Sequence, residues 1–146
     1  MDVLARMHGS FGFSLWQVSN HWQKQMADAL RPIGLTYVQC LLLTGVVQLS
    51  QRGDTVTQNC LAQFFATDVM MTSKVCRTLE KKGLLLRANN RLDARAKTLV
   101  VTKAGRALLV EALDKVLEVD QAFVKQLPDA EAWLQGLSLL QSGQDD

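Results

Sequence analysis

Proline is scarce in this chain, occurring twice in 146 residues, at positions 32 and 128. Long helices are therefore permitted over most of the length, with breaks forced only near those two points. Cysteine is scarce as well: Cys40, Cys60 and Cys76 are odd in number and widely spaced, with no Cys-x-x-Cys pair. That pattern excludes a disulfide framework and a closed cysteine-rich zinc site. The two histidines, His8 and His21, have no Asp, Glu or Cys at ligand spacing, so neither a metal nor a cofactor is expected. Apolar runs stop after a few residues, as in Leu41-Leu42-Leu43 and Leu84-Leu85-Leu86, far below the roughly 20 residues of a bilayer span. The first residues show no basic flank leading into an apolar stretch and a small-residue cleavage site. The expectation is a cytoplasmic protein with no membrane partner. No glycine-rich phosphate loop, metal-binding His pair or nucleophile elbow occurs, which leaves no catalytic residues and no enzyme.

What the chain does contain is 48% hydrophobic and 21% charged residues, the proportions of one ordinary globular domain. Its formal net charge of +2 conceals a sharp asymmetry. Residues 74–106 hold ten of the sixteen Lys and Arg and only two acids, whereas residues 107–146 hold eight acids and two bases. A concentrated basic segment is what a polyanion-binding surface requires, and a merely solvated charged face is the alternative.

Periodicity places that segment. Leu15, Val18, Trp22, Met26 and Ala29 step by three and four residues, predicting a helix that ends before Pro32 and Gly34. Thr36 is an N-cap for a largely apolar helix to about Leu49. After a turn at Gly53-Asp54, Thr57 caps a short helix from Gln58 to Phe65, with Val56 positioned to staple against Leu61. Asp68 then caps a helix from Val69 to Lys82, stopped by Gly83. Its predicted buried stripe is Val69, Thr72, Val75, Cys76 and Leu79; Met70, Met71, Ser73, Lys74, Arg77 and Thr78 point elsewhere. Two short helices joined by a tight turn, the second with a basic outer face, make a helix-turn-helix. Strand-like runs at Leu84–Arg87 and Thr98–Thr102 flank Asn89-Asn90, giving a basic hairpin with Arg87, Arg91, Arg95 and Lys97: a wing. Thr102 caps a long helix carrying Leu109, Ala112, Leu113, Val116, Val119 and Phe123. Beyond Pro128-Asp129 follows a last helix with Trp133, Leu134, Leu137 and Leu140.

The chain resembles the MarR family of bacterial regulators from about residue 11 to 140. The resemblance is carried by Leu35-Thr36, Leu61-Ala62, Leu79-Glu80-Lys81-Lys82-Gly83-Leu84, Arg87, Asp93-Ala94-Arg95 and Leu99-Val100-Val101-Thr102-Lys103-Ala104-Gly105. Its most specific part is the Asp-x-Arg wing tip followed by Thr-x-x-Gly. The implied fold is mainly α with a small β-hairpin wing, in one domain over 1–146. A winged helix-turn-helix lobe at 35–105 lies between dimerisation helices at 10–31 and 106–141. The resemblance also implies a homodimer on a pseudo-palindromic operator in double-stranded DNA, commonly a repressor released by a small aromatic effector. Met70 and Met71 depart from the small or hydroxylated residues frequent in relatives, so base preference does not transfer.

The DNA-binding candidates follow from these placements. Ser73, Lys74 and Arg77 are expected at base edges, and Met71 against a thymine methyl. Lys81, Lys82 and Lys97 are expected on phosphates, with Arg91 in the basic wing. Arg95 is expected in the minor groove with Asp93 holding its direction. Trp16, His21, Trp22 and Tyr37 are candidates for an effector cleft, against the alternative that they are core or interface residues. Cys40, Cys60 and Cys76 read as small apolar side chains. Two rival functions remain: a winged-helix module for protein–protein contact, and a regulator that senses redox state through a cysteine.

Overall fold

The computed structural model describes residues 3–89, 92, 95 and 97–142. A short helix α1 (Val3–His8) precedes α2 (Phe11–Leu30), which Ser10 caps by accepting from the Phe13 amide at 3.3 Å. Residues 3–8 are too few to carry a periodicity that predicts this first helix. Pro32 closes α2 through one 3-10 turn, Arg31–Ile33, and Gly34 leaves that turn at φ +72°, a left-handed conformation suited to glycine. Thr36 and Gln39 form a reciprocal capping box that starts α3 (Tyr37–Gln51). Thr57 and Asp68 cap α4 (Gln58–Phe64) and α5 (Val69–Lys81), as their positions in the sequence require.

The wing is an antiparallel pair, β1 (Leu85–Asn89) and β2 (Lys97–Val101), in register from Leu85 opposite Val101 to Asn89 opposite Lys97. Leu85, Leu99 and Val101 face the core while Leu86 and Val100 face out, the alternation of a half-buried hairpin. The Leu99 amide bonds the Val56 carbonyl at 2.8 Å, pinning β2 to the segment that opens α4. Then α6 (Lys103–Val124) and α7 (Ala130–Ser142) complete the chain.

One core gathers Met26 and Leu30 of α2, Leu42, Leu43 and Val46 of α3, and Leu61 of α4. Cys76 and Leu79 of α5, the inward wing residues, and Leu109, Ala112 and Val116 of α6 complete it. Here α3 is the hub, with seven buried residues. A Cβ at Gly45 would lie 2.5 Å from the Phe65 ring, so α3 and α4 pack closely there. The Thr-x-x-Gly signature has a similar cause. Thr102 accepts from the Gly105 amide at 2.9 Å, donates its hydroxyl to the Gly83 carbonyl at 2.7 Å, and bonds the Leu84 carbonyl through its own amide at 3.1 Å. The first turn of α6 is thereby drawn onto the start of β1, and a Cβ at residue 105 would sit 2.2 Å from the Leu84 oxygen.

The helices outside the lobe behave differently. Leu15 and Val18, expected on the packed stripe of α2, are exposed, as are Val110, Leu113 and Leu117 of α6. No residue of α7 is buried, and Trp133, Leu134, Leu137 and Leu140 all meet solvent in the single chain. Among the described residues no single helix is long and apolar enough to cross a membrane.

Candidate nucleic-acid interface

Helix α5 is sharply two-sided. Thr72, Cys76 and Leu79 are buried, and Thr72 is satisfied there by bonds to the Asp68 carbonyl (2.9 Å) and the Thr67 hydroxyl (3.1 Å). Opposite them Met70, Lys74, Arg77 and Lys81 form an outward row at helical spacing, with Ser73 half-buried beside it. Met70 is 77% exposed and Met71 lies just at the surface, so the helix start presents thioethers to solvent. Val69 also departs from expectation: it is exposed in the first turn of α5. Arg77 Nη2 donates to Ser73 Oγ at 3.2 Å, which orients the guanidinium along the row. Lys74 and Lys81 extend outward with no ion pair to any described residue.

Two of the lysines expected on phosphates are engaged within the chain. The Lys82 ammonium donates to the Gly34 carbonyl at 2.7 Å and to Gln39 Oε1 at 3.1 Å, reaching back to the α2–α3 joint instead of forward. Two of its three donors therefore already have partners within the chain. Lys97 Nζ bonds Asn89 Oδ1 across the hairpin. Arg87 is held against Glu80 by a half-buried pair, Nε to Oε2 at 2.8 Å, which braces β1 on α5. Arg95 is exposed on the wing. Arg91 and Asp93 lie outside the described residues, and so does the expected Asp93–Arg95 contact.

The four aromatic candidates divide. Trp22 and Tyr37 meet edge to face at 4.8 Å and line a crevice of about 600 Å³ between α2 and the start of α3. Trp22 Nε1 also donates to Asp120 on α6 at 2.8 Å, and burial followed by the Asp120 charge raises the Tyr37 pKa above its ordinary value. Trp16 and His21 do not join them. Trp16 is 62% exposed and stacks on Phe13, while His21 bonds Gln25 and lies 6.0 Å from the Phe123 ring. The remaining lining comes from Gln23, Ala27, Arg31, Gly34, Leu35, Thr36 and Val38. The only sequence signal for these was the Pro32-Ile33-Gly34 break, which turns one helix away from the next and opens a space between them.

The cysteines also divide. Cys40 and Cys76 are buried, and burial pushes both thiols up to about 11. Cys60 is exposed near the start of α4, contrary to its expected burial, with its Sγ against the Thr55 carbonyl.

A helix-turn-helix whose second helix offers a basic outer row, closed by a hairpin wing and flanked by long helices, defines a winged-helix regulator. No protein-family model matches the sequence. The chain is 43% identical over 129 residues to an uncharacterised helix-turn-helix transcriptional regulator of Bacillus subtilis, YdcH, covering 88% of each. It is similar to the crystal structure of CouR from Rhodococcus jostii RHA1 bound to p-coumaroyl-CoA: 26% identity, 93% and 92% of the two chains, TM-score 0.75. A mutant MarR from E. coli, in complex with operator DNA, matches at TM-score 0.79 over 97% and 99% of the chains. At 19% identity that likeness speaks for the fold alone. The chain belongs to the MarR family of winged-helix transcriptional regulators.

Proposed function

We propose that this regulator binds duplex DNA as a homodimer and represses transcription until a small aromatic ligand occupies the α2–α3 crevice. Each copy offers α5 and its wing to one half of a pseudo-palindromic operator. Ser73, Lys74 and Arg77 read base edges, Met71 (with Met70 beside it) makes apolar contact, and Lys81 and Arg95 supply charge. The observation that carries this reading is the outward row of α5, set opposite the buried Thr72, Cys76 and Leu79 on a lobe of this family's fold. The exposed apolar residues of α2, α6 and α7 favour a second copy as their cover. Two half-sites lie about 34 Å apart, one helical turn, so a ligand that alters the spacing of the two reading helices releases the DNA. CouR, bound to p-coumaroyl-CoA, is a precedent for ligand binding within the fold.

The test is fluorescence anisotropy with a duplex selected by the protein from random sequence, combined with sedimentation of the complex. Two chains per duplex and affinity that falls steeply with salt are expected. Failure to retain any duplex at about 50 mM salt, where nonspecific electrostatic binding is strong, would transfer the lobe to protein–protein contact.

A further inference from the structure

Lys82 has no place in the reading surface described above, and its surroundings assign it another task. It is the C-cap of the reading helix α5. From there its ammonium spans to two groups far away in sequence, the Gly34 carbonyl at 2.7 Å and Gln39 Oε1 at 3.1 Å. Gln39 is only 6% exposed, and the same Oε1 accepts the Thr36 amide at 3.1 Å. The ammonium, the capping box of α3 and the left-handed Gly34 thus form one hydrogen-bonded knot. Arg31, Gly34, Thr36 and Tyr37 at this knot are also one wall of the crevice. Trp22 stands across from them, bonded to Asp120 of α6. The crevice therefore lies between one hydrogen bond to the reading helix and another to the long helix α6.

We infer that Lys82 is a positioning residue, a latch through which the state of the crevice wall sets the placement of α5 on DNA. This inference rests on the DNA- and ligand-binding reading above. An N⁺–H···O=C bond of this length is charge-assisted and directional. An occupant that displaces the Gly34 carbonyl must either carry the ammonium, and with it the end of α5, or break the bond. A lysine serving phosphate would instead leave its donors to water until DNA arrives.

The experiment uses the full chain with Lys82→Met, which keeps the aliphatic stem and removes the donors; Lys82→Gln, too short to span both acceptors, repeats each measurement. In the free protein, amide exchange over residues 31–39 should rise about tenfold, the equivalent of one charge-assisted bond. Unchanged exchange overturns the latch. On the selected duplex, affinity should fall in parallel at every salt concentration. A salt slope smaller by about one would instead make Lys82 a phosphate contact, overturning the inference. Ala27→Phe, which projects a ring into the crevice from α2, should weaken duplex binding when Lys82 is present and much less in Lys82→Met. Additive losses, or no loss from Ala27→Phe alone, sever the proposed link between crevice and helix. If no form of the protein retains DNA, the DNA reading itself fails and the positioning role with it. The exchange data then show separately whether the latch holds the chain.

Discussion

Replacing Gly105 with Ala tests the joint between wing and long helix directly. The new methyl would lie 2.2 Å from the Leu84 carbonyl oxygen and 2.9 Å from Val101 Cγ1, where ordinary contact begins at 3.4 Å. The nearest obstacle is backbone, so no flexible side chain can swing aside. Either the first turn of α6 or the entry to β1 must retreat by more than an ångström. That retreat stretches the Thr102 bonds to the Gly83 and Leu84 carbonyls, now 2.7 and 3.1 Å. Overpacking of this kind costs about 1–3 kcal/mol, and a weakened hydrogen bond adds about 1 kcal/mol. The better helix propensity of alanine returns less than about 1 kcal/mol. A net loss of about 2–3 kcal/mol lowers the melting temperature by roughly 5–10 °C for a chain of this size. Circular dichroism melting at one fixed protein concentration measures it, which keeps the proposed self-association from shifting the midpoint between samples. Gly136→Ala is the control: nothing lies within 4 Å of its added Cβ, so melting should hold or rise. Should Gly105→Ala melt with the wild type, the close approach of α6 to β1 is wrong.

Three further outcomes follow from other sites. Arg77→Ala should relax preference at one or two base pairs in a selection from random duplexes while leaving nonspecific affinity nearly unchanged; equal loss on all sequences would move Arg77 to phosphate. Arg95→Ala should weaken every duplex alike and reduce the salt slope by about one, and an unaltered slope would remove it from the DNA. Thiol titration of the native protein should count one fast-reacting group, Cys60, with Cys40 and Cys76 appearing only on unfolding. The buried pair also predicts a pH dependence. Their thiols ionise at about 11 when folded against an ordinary 9.0, so the unfolded chain loses protons first. Stability present below about pH 9 should decline between 9 and 11, and Cys40→Ala with Cys76→Ala should flatten that decline in denaturant titrations.

The sequence carried the lobe well because its signals are local. Thr36, Thr57, Asp68 and Thr102 are caps whose hydrogen bonds reach three residues ahead, and all four sit where their spacing requires. The outward row of α5 was readable for the same reason, since one helical period decides it. What escaped were contacts between distant segments. Nothing near residue 82 announces a bond to Gly34, and nothing near residue 60 shows that α4 turns its cysteine outward. The four aromatic candidates part company on the same account: aromatic side chains on two helices share a space only if the helices cross at the right point. They do so at Trp22 and Tyr37, but not at the neighbouring His21 or at Trp16 further back along α2. The short helix α1 was missed because its six residues hold too little periodicity to register.

The distribution of unsatisfied surface argues for how the parts depend on one another. Positive charge is concentrated in residues 74–106, within the lobe, while exposed apolar side chains also mark the helices on either side of it. Helix α7 makes the point most strongly. It is thirteen residues long with none buried, and an isolated helix of that length is marginal in water. Its Trp133, Leu134, Leu137 and Leu140 therefore need a covering surface to justify the helix at all, and the uncovered faces of α2 and α6 are of matching chemistry. On the proposed function, a lobe for half a site and helices with uncovered apolar faces are two halves of one requirement. In the proposed dimer, pairing buries the apolar faces and one rotation axis fixes the distance between the reading helices. Trp22 ties α2 to α6 while lining the crevice, so under that proposal an occupant of the crevice acts on the element that sets this distance.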